Sequence, residues 1–117
     1  MTTMTVGMIT FDTTDATALA TWWARHTGGT VHDDNDGWFV TVTSDGPVLA
    51  FQKVPDPTPG KNRIHLDLTV EDRPAAAAAL IADGATAVAE HSMGEFSWTV
   101  LADPDGNQFC LAQRDGR

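Results

Sequence analysis

Asp15 and Asp72 stand 57 positions apart, and each heads the same succession of elements. A carboxylate at such a place can accept the orphan amide hydrogens of a helix's first turn. Val6–Phe11, before Asp15, reads as a strand. After Asp15, a helix over about 16–27 carries Leu19, Trp22 and Trp23 and ends at Gly28-Gly29. Thr30–His32 is a short strand, Asp33–Gly37 a turn cluster and Trp38–Thr43 a strand rich in β-branched residues. Ser44–Pro47 turns the chain into the strand Val48–Val54. Around Asp72 the order repeats. Arg63–Val70 is a strand, and the helix over about 73–83 tolerates Pro74 in its first turn. Five successive alanines, Ala75–Ala79, favour that helix, and Gly84 ends it. Thr86–Glu90, Trp98–Ala102 and Gln108–Gln113 are three more strands, the last two joined by the turn Asp103-Pro104-Asp105-Gly106. Residues between, His91–Phe96, read as a loop.

Both halves therefore read β-α-β-β-β, and a duplicated module is the economical account. The expected fold is α+β: one domain over 1–117, with modules of about 5–54 and 63–113 joined by the Pro-rich stretch 55–62. Two tandem βαβββ modules would form an open, cleft-containing sheet, with strands of both halves lining the cleft.

The clearest strand is Arg63–Val70. Ile64, Leu66, Leu68 and Val70 alternate with Arg63, His65, Asp67 and Thr69. A period of two with one apolar face marks a half-buried strand. The apolar face packs on helix, and the other face carries a cation, an imidazole, a carboxylate and a hydroxyl.

Composition narrows the function classes. Net charge is −9 with a pI near 4.5, a surface that repels phosphate backbones, so no nucleic-acid partner is expected. No apolar run reaches the roughly 18–20 residues of a membrane span. The opening residues lack the basic start and apolar core of a signal peptide, and the single cysteine, Cys110, allows no intrachain disulfide. A reducing cytoplasm is the expected setting.

The organisation resembles the vicinal oxygen chelate superfamily of glyoxalase I, bleomycin-resistance proteins, fosfomycin-resistance enzymes and extradiol dioxygenases. The residues that carry the resemblance are Trp22-Trp23 before Gly28, Asn62–Asp67, and above all Asp103-Pro104-Asp105-Gly106-Asn107-Gln108-Phe109. The likeness covers nearly the whole chain, and small glyoxalase-like domain proteins are its nearest look. It implies paired modules around one site, a small-molecule ligand and a homodimer. It leaves activity open, because this fold hosts isomerases, transferases, dioxygenases and proteins that only bind.

In metal-dependent members, His or Gln from a module's first strand and Glu from its last hold a divalent ion. The equivalent positions here are Met8 and His65 on the first strands, Ala50 (with Gln52 one pleat on) on the fourth strand, and Cys110 where the final Glu would stand. Only His65 is a strong first-row ligand at its place. The resemblance therefore implies no metal cofactor here, or at most a degenerate site at His65. Cys110 also reads as a small buried hydrophobe, and His65 as a cleft histidine bonding a ligand or Asp67.

Pleat parity extends the inventory of the polar face. Met8, Thr10 and Asp12 share it on the first strand, Gln52 on the fourth, Asp67 with His65, and Gln108 with Cys110 on the last. A one-residue slip would bury Asp67 and Gln108, so the register is well specified. His65 and Asp67 lie about 6–7 Å apart along an ideal strand, a spacing that does not by itself make a pair. Trp38 and Trp98 each open a module's third strand, where an indole can stack a flat ligand or attract a cation. Trp22 and Trp23 are neighbours on one helix, so one is expected in the core and the other partly exposed.

Three readings follow. The first is a metal-free small-molecule-binding protein of the glyoxalase/bleomycin-resistance type, its ligand cationic or aromatic. The alternative is a lyase or isomerase of the same superfamily, with His65 as catalytic base or a degenerate metal site. The third is an orphan scaffold, or a module fused to or partnered with another protein.

Overall fold

The computed structural model describes residues 2–114. These form two compact units, with the boundary between Thr58 and Pro59. Each unit is a four-stranded mixed sheet with one helix on one face, and neither sheet closes on itself.

In the first unit, β1 (Ile9–Thr13), α1 (Ala16–Thr27), β2 (Thr30–His32), β3 (Phe39–Thr43) and β4 (Leu49–Lys53) give the sheet order β1-β4-β3-β2. Strand β1 begins three residues later than its sequence suggests. Its parallel ladder with β4 starts at Ile9↔Leu49, and β4 offers no partner before that, so Val6 stays 78% exposed. Asp15 caps α1 by accepting from the Ala18 amide at 3.1 Å. Gly28 ends the helix in the left-handed region (φ 69°), where a Cβ would be strained. The next residue, Gly29, lies so close to β3 that a Cβ there would stand 2.5 Å from Val42 Cγ1.

The helix packs on the face that carries Phe11 and Phe51, which are register partners with rings stacked at 4.8 Å. Trp23 lies 5.4 Å from Phe11. Neither Trp22 nor Trp23 projects into solvent, contrary to the expectation that one of them would. Both indoles are buried, with Trp22 edge-on to Trp23 at 5.2 Å and flanked by His26 at 4.7 Å. A large ring reaches well off its own Cα direction, so consecutive tryptophans can share one core by stacking edge to face.

The second unit repeats the order: β5 (Asp67–Val70), α2 (Arg73–Ala82), β6 (Thr86–Met93), β7 (Phe96–Ala102) and β8 (Gln108–Gln113), arranged β5-β8-β7-β6. Asp72 caps α2 through the Ala75 amide at 3.1 Å. Phe109, Leu111 and Leu101 form the buried face of the sheet. Register partners share a face, so Trp98↔Ala112, Val100↔Cys110 and Ala102↔Gln108 lie on the other.

The second unit corrects two expectations. The regular strand starts at Asp67, not Arg63, and Ile64 is 84% exposed. The reason is Asn62. Its side-chain amide donates to the Gln108 carbonyl at 3.0 Å and accepts from the Gln108 amide at 2.8 Å, taking the place of a strand residue. The same Nδ2 reaches the Ile64 carbonyl at 2.7 Å, so 62–64 is folded over the start of β8 rather than laid beside it. The other correction is that His91–Phe96 is not a loop. β6 runs to Met93, and the hairpin turns within Gly94-Glu95.

Among the described residues no helix is long and apolar enough to cross a membrane, which says nothing of a β-barrel.

Candidate functional site

A cavity of about 640 Å³ opens on the helix-free face of the second sheet, lined by strand residues and by Lys61 and His65 ahead of β5. The pleat of β7 and β8 aims Trp98, Val100, Gln108, Cys110 and Ala112 at it. An irregularity in β6 completes the wall. The ladder pairs Ala87 with Leu101 but Ala89 with Val100, so Val88 is an extra, bulged residue. The bulge reverses the pleat, and Ala89 and His91 then face the cavity.

One end of the cavity is aromatic. His91 stacks on Trp98 with ring centroids at 5.3 Å and an interplanar angle of 29°, and Phe96 sits 5.7 Å away on the same indole. These rings present a flat π surface beside the small apolar side chains of Ala89, Val100 and Ala112.

The other end is polar. His65 Nε2 lies 3.5 Å from Asp67 Oδ1, closer than an ideal strand would bring them, because His65 precedes the regular pleat. Both side chains are substantially exposed, so the pair orients more than it stabilises. Asp67 is the direct register partner of Cys110 across the parallel β5–β8 ladder. Burial pushes the Cys110 thiol above its usual range. The charge of Asp67 and its acceptance of the thiol's hydrogen bond push it the same way, and Lys61 opposes them. Cys110 is thus half-buried and polar in its contacts, not the inert core hydrophobe that its residue type suggested.

Of the residues singled out in the sequence, His65, Asp67, Trp98, Gln108 and Cys110 come together around this cavity. Thr10, Asp12 and Gln52 come together on the first unit's sheet, exposed on the face opposite Phe11 and Phe51, with Asp12↔Gln52 in register. Met8, 46% exposed, precedes β1, and Ala50 is fully buried. Trp38 is exposed beside β3 and already carries a cation, with Lys53 Nζ 5.0 Å from its ring centroid. Sequence reasoning missed Lys61, Val88 and Ala89 and put His91 and Phe96 in a loop. The bulge that turns β6 has no residue signature of its own. The run Val88-Ala89-Glu90-His91 hinted at a strand continuing past Glu90.

The chain belongs to the glyoxalase-like domain family, whose model matches residues 8–112. Solved structures share the fold. A member of the glyoxalase/bleomycin resistance protein/dioxygenase superfamily from Sphaerobacter thermophilus DSM 20745 is 25% identical, with a TM-score of 0.71 over 96% of this chain and 98% of that one. The fosfomycin resistance protein FosX from Listeria monocytogenes is 12% identical, with a TM-score of 0.77 over 96% and 94%. A lactoylglutathione lyase from Agrobacterium tumefaciens is 13% identical, with a TM-score of 0.69 over 94% and 93%. No curated protein sequence matches at a significant level.

The resemblance to metal-dependent members implies a hard divalent ion at this place. Such an ion asks for about six oxygen or nitrogen ligands, with carboxylates prominent. The last strand supplies the Cys110 thiol instead, and burial and Asp67 raise its pKa. Among the described residues, Asp67 is the one carboxylate lining the cavity. The donor set does not fit magnesium, manganese or nickel.

Proposed function

We propose that the chain is a small-molecule-binding protein of the glyoxalase/bleomycin-resistance type that works without a catalytic metal. The observation that carries this reading is the second sheet's cavity, with an aromatic wall at one end and an imidazole, carboxylate and amide at the other. A concave, mostly apolar site with a few convergent polar groups is how proteins hold small organic ligands. Trp98 and His91 offer a face for a planar group, and Asp67 offers a charge partner for a cationic one. The expected ligand is flat, aromatic and neutral or cationic. A homodimer and an intracellular setting belong to the same proposal. Quenching of tryptophan emission on titration with planar aromatic cations tests it, and flat titrations across a broad panel would count against it.

One observation favours a second reading, an isomerase- or lyase-type activity with His65 as general base. Asp67 stands within reach of the imidazole and would hold the imidazolium formed on proton abstraction. Turnover of any carbonyl-activated substrate by the chelator-treated protein, abolished in His65→Ala, would support it. Equal turnover by wild type and His65→Ala would remove it.

A further inference from the structure

The polar end of the second sheet's cavity carries two opposite charges, and the small-molecule reading uses only one of them. Lys61 lines this cavity together with Asp67. We infer that the ligand is a zwitterion of the aromatic α-amino acid class, its carboxylate held by Lys61, its ammonium by Asp67 and its ring by Trp98. The inference rests on the small-molecule reading and narrows it to a ligand class.

Lys61 is placed by its neighbour. The Asn62 side chain binds the amide and the carbonyl of Gln108 at 2.8 and 3.0 Å, so the backbone beside Lys61 is held against the start of β8. Asp67 is the register partner of Cys110, two residues further along the same strand. The two anchor points are therefore about 7 Å apart along β8. A single carbon that carries an ammonium and a carboxylate, with a hydrogen bond of about 2.8 Å on either side, bridges such a gap. Lys61 and Asp67 act in opposite senses on the Cys110 thiol, which puts both charges at this end of the cavity. Among the described residues Lys61 makes no ion pair, and Asp67 has only the 3.5 Å contact with His65.

The place of the ring follows from the sheet order. Trp98 lies on β7, two strands from Asp67 on β5, a separation of roughly 10 Å. An aromatic group on a one-carbon link covers it, between a hydrogen bond at one end and a stacking contact of about 3.5–4 Å at the other. Charge then decides the class. A ligand with an ammonium alone meets Asp67 and is opposed by Lys61, and one with a carboxylate alone meets the reverse. A zwitterion is complementary to both. Lys61 and Asp67 are both exposed, so each contact is modest and the two act together.

Calorimetric titration of the full chain at neutral pH with L-tryptophan, tryptamine and indole-3-propionate tests the inference, because the three share a ring and differ in charge. L-Tryptophan is expected to bind more tightly than either of the others by about fivefold or more. Lys61→Ala should lower the affinity for L-tryptophan to about that for tryptamine and leave tryptamine no weaker. Asp67→Asn should lower it to about that for indole-3-propionate. Circular dichroism should be unchanged in both variants. Tryptamine or indole-3-propionate binding as tightly as L-tryptophan would overturn the inference and leave the small-molecule reading standing. So would an affinity for L-tryptophan untouched by Lys61→Ala or by Asp67→Asn. No binding of any of the three would also overturn it, and the broader panel of planar aromatics then decides the small-molecule reading.

Discussion

Asp67 and Cys110 face each other as register partners across a parallel ladder, and the carboxylate accepts the hydrogen bond of the thiol. The pairing puts a thiol, with its pKa raised by burial and by Asp67, at the position where the resemblance would place a metal-binding carboxylate. Both side chains belong to the polar end of the cavity.

Thiol reactivity follows directly. Burial first, then Asp67, raises the pKa of Cys110 in the folded protein. Alkylation by iodoacetamide should be slow at neutral pH, with its half-point above that of the unfolded chain. Asp67→Asn should shift that half-point down. The sign for stability is the same. The contribution is complete below the unfolded thiol's pKa and is lost as pH rises through the folded value. Urea unfolding across the alkaline range should therefore show a decline that Cys110→Ser removes.

The clamp at Asn62 should matter out of proportion to its place in a loop. Asn62→Ala leaves the Gln108 amide and carbonyl without their side-chain partners, costing about 1–2 kcal/mol. Asn62→Asp keeps the acceptor for the Gln108 amide and loses both donations, so its cost should fall between wild type and alanine. Chemical denaturation of the three proteins gives the order.

Gly29→Ala places a Cβ 2.5 Å from Val42 Cγ1 and 3.0 Å from the Thr43 carbonyl. The carbonyl belongs to the last residue of β3, which pairs with Thr30 of β2, and cannot retreat cheaply. The expected destabilisation is roughly 1–3 kcal/mol, read as a lower urea midpoint. Asp15→Ala and Asp72→Ala each remove a helix cap and should cost about 1 kcal/mol.

The β-α-β-β-β repeat, both caps and the glycine stop of α1 were legible in the sequence because each rests on a local rule. So was the parity of β8, where Phe109 and Leu111 are buried and Cys110 is turned to the cavity. What escaped depended on partners distant in sequence. The length of β1 is set by where β4 begins, and Asn62 replaces a strand because Gln108 lies opposite it, 46 residues away. The alternation of Arg63–Val70 was real, yet alternation is a property of side chains and pairing one of the backbone. Ile64 keeps the pattern without the strand. The bulge at Val88 changes which side chains reach the cavity while leaving the residue types unchanged.

On the function proposed here, the second sheet's cavity binds an organic ligand without a hard metal ion. Titration of chelator-treated protein with a panel of planar aromatic amines, followed by calorimetry and tryptophan emission, tests it most directly. Binding should be saturable, indifferent to added magnesium or manganese, and lost in Trp98→Ala. Binding that appears only when a hard divalent ion is added, or that survives unchanged in Trp98→Ala, would contradict it.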